Sequence, residues 1–183
     1  MSQRRFSLKK SSFLLVICFL FSYSCLVLST AAAAQNFHAD VGIGSVAPTN
    51  SGYETGYALD HAIAYEHSIF VFRLGGMFLG SIEPEDAAED TEIDIGGVYL
   101  NVAGVIELAP VKIELGTGVL FSETRADFMG RRVSEESDQS PFAGVKVILG
   151  INKLVSLQAD WKYIDDVTGG NLNVVNAGVR FSF

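Results

Sequence analysis

Apolar and polar residues alternate with a period of two along most of the chain beyond residue 36, the spacing of strands whose two faces meet different environments. Phe37, Ala39, Val41 and Ile43 alternate with His38, Asp40, Gly42 and Gly44. Tyr57, Leu59, Ile63 and Tyr65 share one face of a second run, with Ala58, Asp60, Ala62 and Ala64 on the other. Six further runs follow, centred on Phe72, Leu100, Leu115, Val147, Leu157 and Ala177, which makes eight predicted strands. Tight turns are predicted at His67-Ser68, Leu108-Ala109-Pro110 and Asn152-Lys153. Longer polar loops are predicted over 46–55, 80–94, 122–141 and 165–171. Short connections at one end and long ones at the other describe an all-β, eight-stranded antiparallel up-and-down barrel.

Alternation does not say which face is outside. A soluble barrel is apolar inside, and a transmembrane barrel is apolar outside. Three features favour the second. The apolar face of the eight runs carries no Asp, Glu, Lys or Arg. The other face is rich in glycine, including Gly42, Gly75, Gly116, Gly118, Gly144 and Gly178. Glycine weakens a strand in water but suits the crowded interior of a narrow barrel. Aromatic residues gather toward strand ends, at Tyr57, Tyr65, Phe70, Phe78, Phe121, Tyr163 and Phe183, as interfacial girdles do.

The first residues follow another pattern. Arg4, Arg5, Lys9 and Lys10 precede an apolar run from Phe13 to Leu28, and then come Ser29-Thr30-Ala31-Ala32-Ala33-Ala34. This reads as a secretory signal over residues 1–34, leaving a barrel domain over 35–183. A retained membrane anchor or a lipoprotein signal are the alternatives. The whole chain has 183 residues and a formal charge of −8. Loss of residues 1–34 removes both cysteines and four basic residues, leaving 21 acids against 9 bases, a formal −12. Such a chain forms no disulfide and is a poor partner for nucleic acid.

The last strand reads Val175-Asn176-Ala177-Gly178-Val179-Arg180-Phe181-Ser182-Phe183. With the alternating runs before it, the chain resembles the small eight-stranded outer-membrane barrels of Gram-negative bacteria, the OmpA-like membrane domain and its OmpX/Ail-type relatives. The resemblance implies that Val179, Phe181 and Phe183 form the signal by which the barrel-assembly machinery recognises its clients. It also implies outer-membrane lipid and lipopolysaccharide as surroundings.

The polar face predicts a lumen network of Asp40, Arg73, Lys112, Glu114, Lys146, Asp160, Lys162 and Arg180, with Asp60 on the same face. The turn lengths set Lys146 opposite Asp160 and Glu107 opposite Lys112, and closure brings Arg180 near His38 or Asp40. Charges out of water need partners, so a paired network filling the lumen is the economical reading. A narrow ion or small-solute channel lined by exchangeable salt bridges is the alternative. Glu83, Glu85, Asp86, Glu89, Asp90, Glu92 and Asp94 make one predicted loop acidic. It reads as solvated, with divalent-cation binding as the alternative, because the order of an EF-hand loop is absent. Arg125, Arg131 and Arg132 of the next loop are candidates for contact with lipid phosphates or a host ligand.

Acyl chemistry would need a serine, a histidine base and an orienting acid. His61 falls on the apolar face with no serine beside it in its strand, and a small bulge turning it inward is expected. No catalytic residue, cofactor or metal ligand is therefore assigned. The sequence predicts a monomeric, non-enzymatic envelope protein whose exterior loops carry adhesion or contact. A channel is the alternative, and a lipid A-modifying enzyme the third reading.

Overall fold

The computed structural model describes residues 36–49, 52–83, 91–128, 131–167 and 170–183. Eight strands, β1 (Phe37–Pro48), β2 (Gly56–His67), β3 (Phe70–Ile82), β4 (Thr91–Leu108), β5 (Val111–Phe128), β6 (Arg131–Gly150), β7 (Val155–Val167) and β8 (Gly170–Ser182), form a closed barrel in sequence order. Every neighbouring pair is antiparallel, and β1 closes on β8. Closure leaves no strand edge within the ring, as hydrocarbon requires of a spanning sheet.

The alternation sorts to two faces as its chemistry demands. Val41, Ile43, Leu74, Leu100, Leu115, Val147, Leu157 and Val175 point outward and are exposed. Asp40, Arg73, Glu114, Lys146 and Arg180, on the opposite face of their strands, are buried in the lumen. Water inverts this arrangement and a bilayer favours it, so the molecule is a transmembrane β-barrel. Glycine makes the narrow interior packable. The Tyr99 ring lies against the Cα of Gly75 on the neighbouring strand, in the space a Cβ would occupy. Phe142 lies over Gly118 in the same way, and the two rings meet edge to face with centroids 5.7 Å apart.

The barrel has two unlike ends. At one, which we call the turn end, β1 begins, β8 finishes, and short turns join β2–β3, β4–β5 and β6–β7. At the other, the loop end, the structure departs from the sequence expectation. Residues 122–128 and 131–141, expected as parts of one loop, belong to β5 and β6, which pair from Val111–Leu149 to Phe128–Arg131. Residues 165–171 likewise hold the ends of β7 and β8, with only 168–169 between them. β3 reaches Ile82 and β4 starts at Thr91, so Asp94 of the predicted acidic loop lies on a strand, and residues 84–90 of that loop fall outside the described residues. β4, β5 and β6 have 18, 18 and 20 residues, against 12 or 13 in the other five. β4–β5 pairing runs on to Thr91–Phe128 and β5–β6 pairing to Phe128–Arg131, past the last β6–β7 pair at Phe142–Ile164, so these strands raise a three-stranded wall above the rest of the barrel.

His61 also departs from expectation. No register shift interrupts β1–β2 or β2–β3 around it, and its side chain stays outward. Gly76, its partner on β3, gives the imidazole a seat, because a Cβ there would lie 2.5 Å from the ring. The missing side chain accommodates the ring, so no bulge is needed.

Candidate functional site: the barrel lumen

Every strand contributes inward residues to the lumen, which is layered by chemistry. At the loop end the layer is apolar. Val46 comes from the end of β1, Leu79 and Ile82 from the end of β3, and Ile95 from the start of β4. Leu120, Phe142, Ile164, Leu172 and Val174 complete it, all buried. Sequence reasoning missed this plug. Its members continue the inward parity of the glycine face, but Val46 and Ile82 lie in stretches read as loops.

Below it sits a cluster of eight buried charges. Asp40 is its hub. It accepts from Arg180 Nε at 2.8 Å and Nη2 at 3.0 Å, from Lys146 Nζ at 2.8 Å and from Arg73 Nε at 3.3 Å. Glu114 bridges the same two arginines, accepting from Arg73 Nη2 at 2.6 Å and Arg180 Nη1 at 2.7 Å. Arg73 Nη1 donates to Asn101 at 2.7 Å, and Lys146 donates to Gln158 at 3.3 Å. Toward the plug, Lys162 donates to Asp60 at 2.6 Å and to Asp160. Asp60 also accepts from the Tyr99 hydroxyl at 2.8 Å, and Asp160 from Asn176 at 3.2 Å. Among the described residues the four carboxylates of this cluster (Asp40, Asp60, Glu114, Asp160) match four cations (Arg73, Lys146, Lys162, Arg180). Buried charges cost several kcal/mol each unless paired, and here each is paired, the arginines by more than one bond.

Lys112 belongs to a different group at the turn end. It donates to Glu66 at 2.9 Å and lies 3.1 Å from Glu107. Glu66 also meets His38 Nε2 at 3.1 Å, and His38 Nδ1 lies 3.1 Å from Ser182 Oγ. Sequence reasoning did not single out Glu66 or Ser182. Serine and histidine stand 144 residues apart and meet only because the barrel closes. Of the other candidates, Arg125 is exposed on the wall and pairs with Glu123 at 2.5 Å. Arg131 and Arg132 lie on β6.

The space left inside the charge cluster is small. A cavity of about 30 Å³, lined by Arg73, Tyr99, Asn101, Glu114, Phe142 and Lys146 among others, has room for a water or two. An ion crossing the lumen would have to break several of these pairs and part the apolar plug. The arrangement therefore ties eight strands together from inside and offers no exposed charge to a passing solute.

No family profile matches the chain, and no curated protein sequence is significantly similar to it. Solved structures are similar in fold. Neisserial surface protein A superimposes with a TM-score of 0.64 at 19% identity, over 80% of this chain and 97% of that one. The attachment invasion locus protein Ail of Yersinia pestis gives 0.57 at 12% identity, over 81% and 99%. The N-terminal β-barrel domain of Pseudomonas aeruginosa OprF gives 0.58 at 9% identity, over 81% and 98%. With its closed topology, outward apolar belt and charged interior, the chain has the transmembrane fold of the small eight-stranded outer-membrane β-barrels.

Proposed function

We propose that this chain is a non-enzymatic outer-membrane protein of the Gram-negative envelope, with a structural role in the membrane and a contact role at the surface. One observation carries the reading: a lumen filled by a charge-balanced cluster under an apolar plug, inside an apolar belt. Such a barrel is built to stay closed. What remains exposed and chemically varied is the three-stranded wall at the loop end, with Glu123, Arg125, Glu136 and Gln139 on it. Two proteins of the same fold are described as a surface protein and as an attachment invasion protein, which supports this use of the exterior.

On this reading residues 1–34 are a secretory signal, although they lie outside the described residues. Val179, Phe181 and Phe183 are the signal to the barrel-assembly machinery. The even strand number puts the turn end in the periplasm and the wall outside, among lipopolysaccharide. The protein acts as a monomer and uses no cofactor.

The test is refolding of residues 35–183 into detergent, followed by gel mobility with and without boiling and by planar-bilayer recording. The expected result is a heat-dependent mobility shift with no unitary conductance steps. Regular steps from the folded species would overturn the sealed-lumen reading in favour of a channel. Folding in plain buffer without detergent would overturn the membrane assignment itself.

A further inference from the structure

The first and last strands meet at the turn end through His38 and Ser182, which are register partners across the closing seam. Ser182 Oγ lies 3.1 Å from His38 Nδ1. His38 Nε2 lies 3.1 Å from Glu66 Oε2. The second oxygen of Glu66 accepts from Lys112 Nζ at 2.9 Å. His38 is buried and Ser182 half-buried, while the side chain of Glu107 beyond Lys112 is 68% exposed. The chain of contacts thus runs from the lumen wall to the water of the mouth.

The donor inventory fixes how a neutral His38 must sit. A carboxylate only accepts, so Nε2 carries the hydrogen and donates it to Glu66. The lone pair of Nδ1 then faces Ser182, whose hydroxyl donates to it. This is a hydroxyl on a base that is itself oriented by a carboxylate, the arrangement that makes a serine nucleophilic. Lys112 holds the carboxylate in place.

We propose that Ser182 is an activated serine and a covalent acceptor for carboxylic esters that reach the turn-end mouth through water. Ser182 Oγ attacks the acyl carbon and its proton passes to His38 Nδ1. The bond from the acyl carbon to the alcohol oxygen breaks, and the departing alcohol takes the proton from His38. The serine ester forms without any change of oxidation state. The backbone N–H of Ser182 is committed to the carbonyl of Leu154 at 2.9 Å, so it does not serve as an oxyanion donor. One acylation per chain is therefore expected rather than turnover. This modification site goes beyond the surface role proposed above and does not depend on it.

The test uses the full refolded barrel in detergent and a fluorophosphonate probe, in which the P–F bond breaks as the Oγ–P bond forms. Trypsin cleavage after Arg180 releases Phe181-Ser182-Phe183, and mass spectrometry of that peptide locates the label. One label per chain on Ser182 is expected, with p-nitrophenyl acetate releasing one equivalent of nitrophenol. His38→Gln should slow labelling about a hundredfold or more, the usual contribution of a general base. Glu66→Gln should slow it less. Wild-type protein boiled before exposure should not label, a comparison that holds whether or not either variant folds. Labelling absent from Ser182 in the folded barrel, or equally fast in boiled protein, would overturn the proposal. So would an unchanged rate in folded His38→Gln.

Discussion

At the scale of single residues, Asp40 shows how much the barrel asks of one side chain. Its two oxygens receive donors from Arg73, Lys146 and Arg180, and all four residues are buried. Asp40→Asn keeps the shape but leaves three cations facing one another without their shared counter-charge. Removing one partner from a buried ionic network costs about 3–5 kcal/mol. The urea midpoint of the refolded variant in detergent should fall accordingly, and a midpoint equal to wild type would show that Asp40 is not the hub. The sequence made part of this network legible. Turn length fixes register, so Lys146 stands opposite Asp160 and Lys112 opposite Glu107, while closure of the barrel sets Arg180 opposite Asp40. Two of these pairs form, Arg180 with Asp40 at 2.8 Å and Lys112 with Glu107 at 3.1 Å, but not every partner was legible. Lys146 approaches Asp160 only to 3.9 Å and instead reaches across the lumen to Asp40 at 2.8 Å, while Lys112 also reaches over to Glu66. In a narrow closed ring a long side chain chooses among all eight strands, and that choice depends on closure and on where glycine leaves room.

At the scale of elements, the β5–β6 hairpin divides into two regimes. Up to about Phe121 one face meets lipid and the other the lumen, so Leu115, Val119 and Phe121 alternate with Glu114, Gly118 and Leu120. Beyond it both faces are polar: Glu123, Arg125 and Gln139 on the outer side, and Ser122 and Thr124, still buried, on the inner side. Alternation disappears there although pairing continues, with one register shift at Ala126/Asp127. A period-two argument reads contrast between faces, and where the contrast vanishes a strand looks like a loop. The same logic predicts that the wall contributes little to barrel stability. Replacing residues 125–135 by an Asn-Gly turn should leave the heat-dependent gel shift intact and change the unfolding free energy from urea titration by less than about 1 kcal/mol, while any surface contact is lost. Loss of the folded band would show that the wall is part of the folding unit.

At the scale of the whole molecule, the fold is an answer to its solvent, and the sharpest demonstration contrasts two arginines, one native and one introduced. Arg180 faces the lumen, donates to Asp40 and Glu114, and is tolerated in its buried place because each charge is matched. Leu115 lies on β5 between Gly104 and Val145 of the neighbouring strands, outward and 50% exposed, near the middle of the apolar belt. On a water-soluble protein, exchanging a half-exposed leucine for arginine would change stability by no more than about 0.5 kcal/mol. In a bilayer the same exchange puts an unpaired cation into hydrocarbon, at a cost of about 2–4 kcal/mol near the midplane. Leu115→Arg, refolded into phospholipid vesicles and titrated with urea, should therefore lose stability in that higher range. Val119→Arg, closer to the Phe121 interface, should lose less, since its guanidinium reaches the headgroups more easily. A depth-dependent penalty on outward positions is the signature of lipid around the belt. A uniform and negligible one would mean that this face meets water, and that the polarity of the barrel had been assigned the wrong way round.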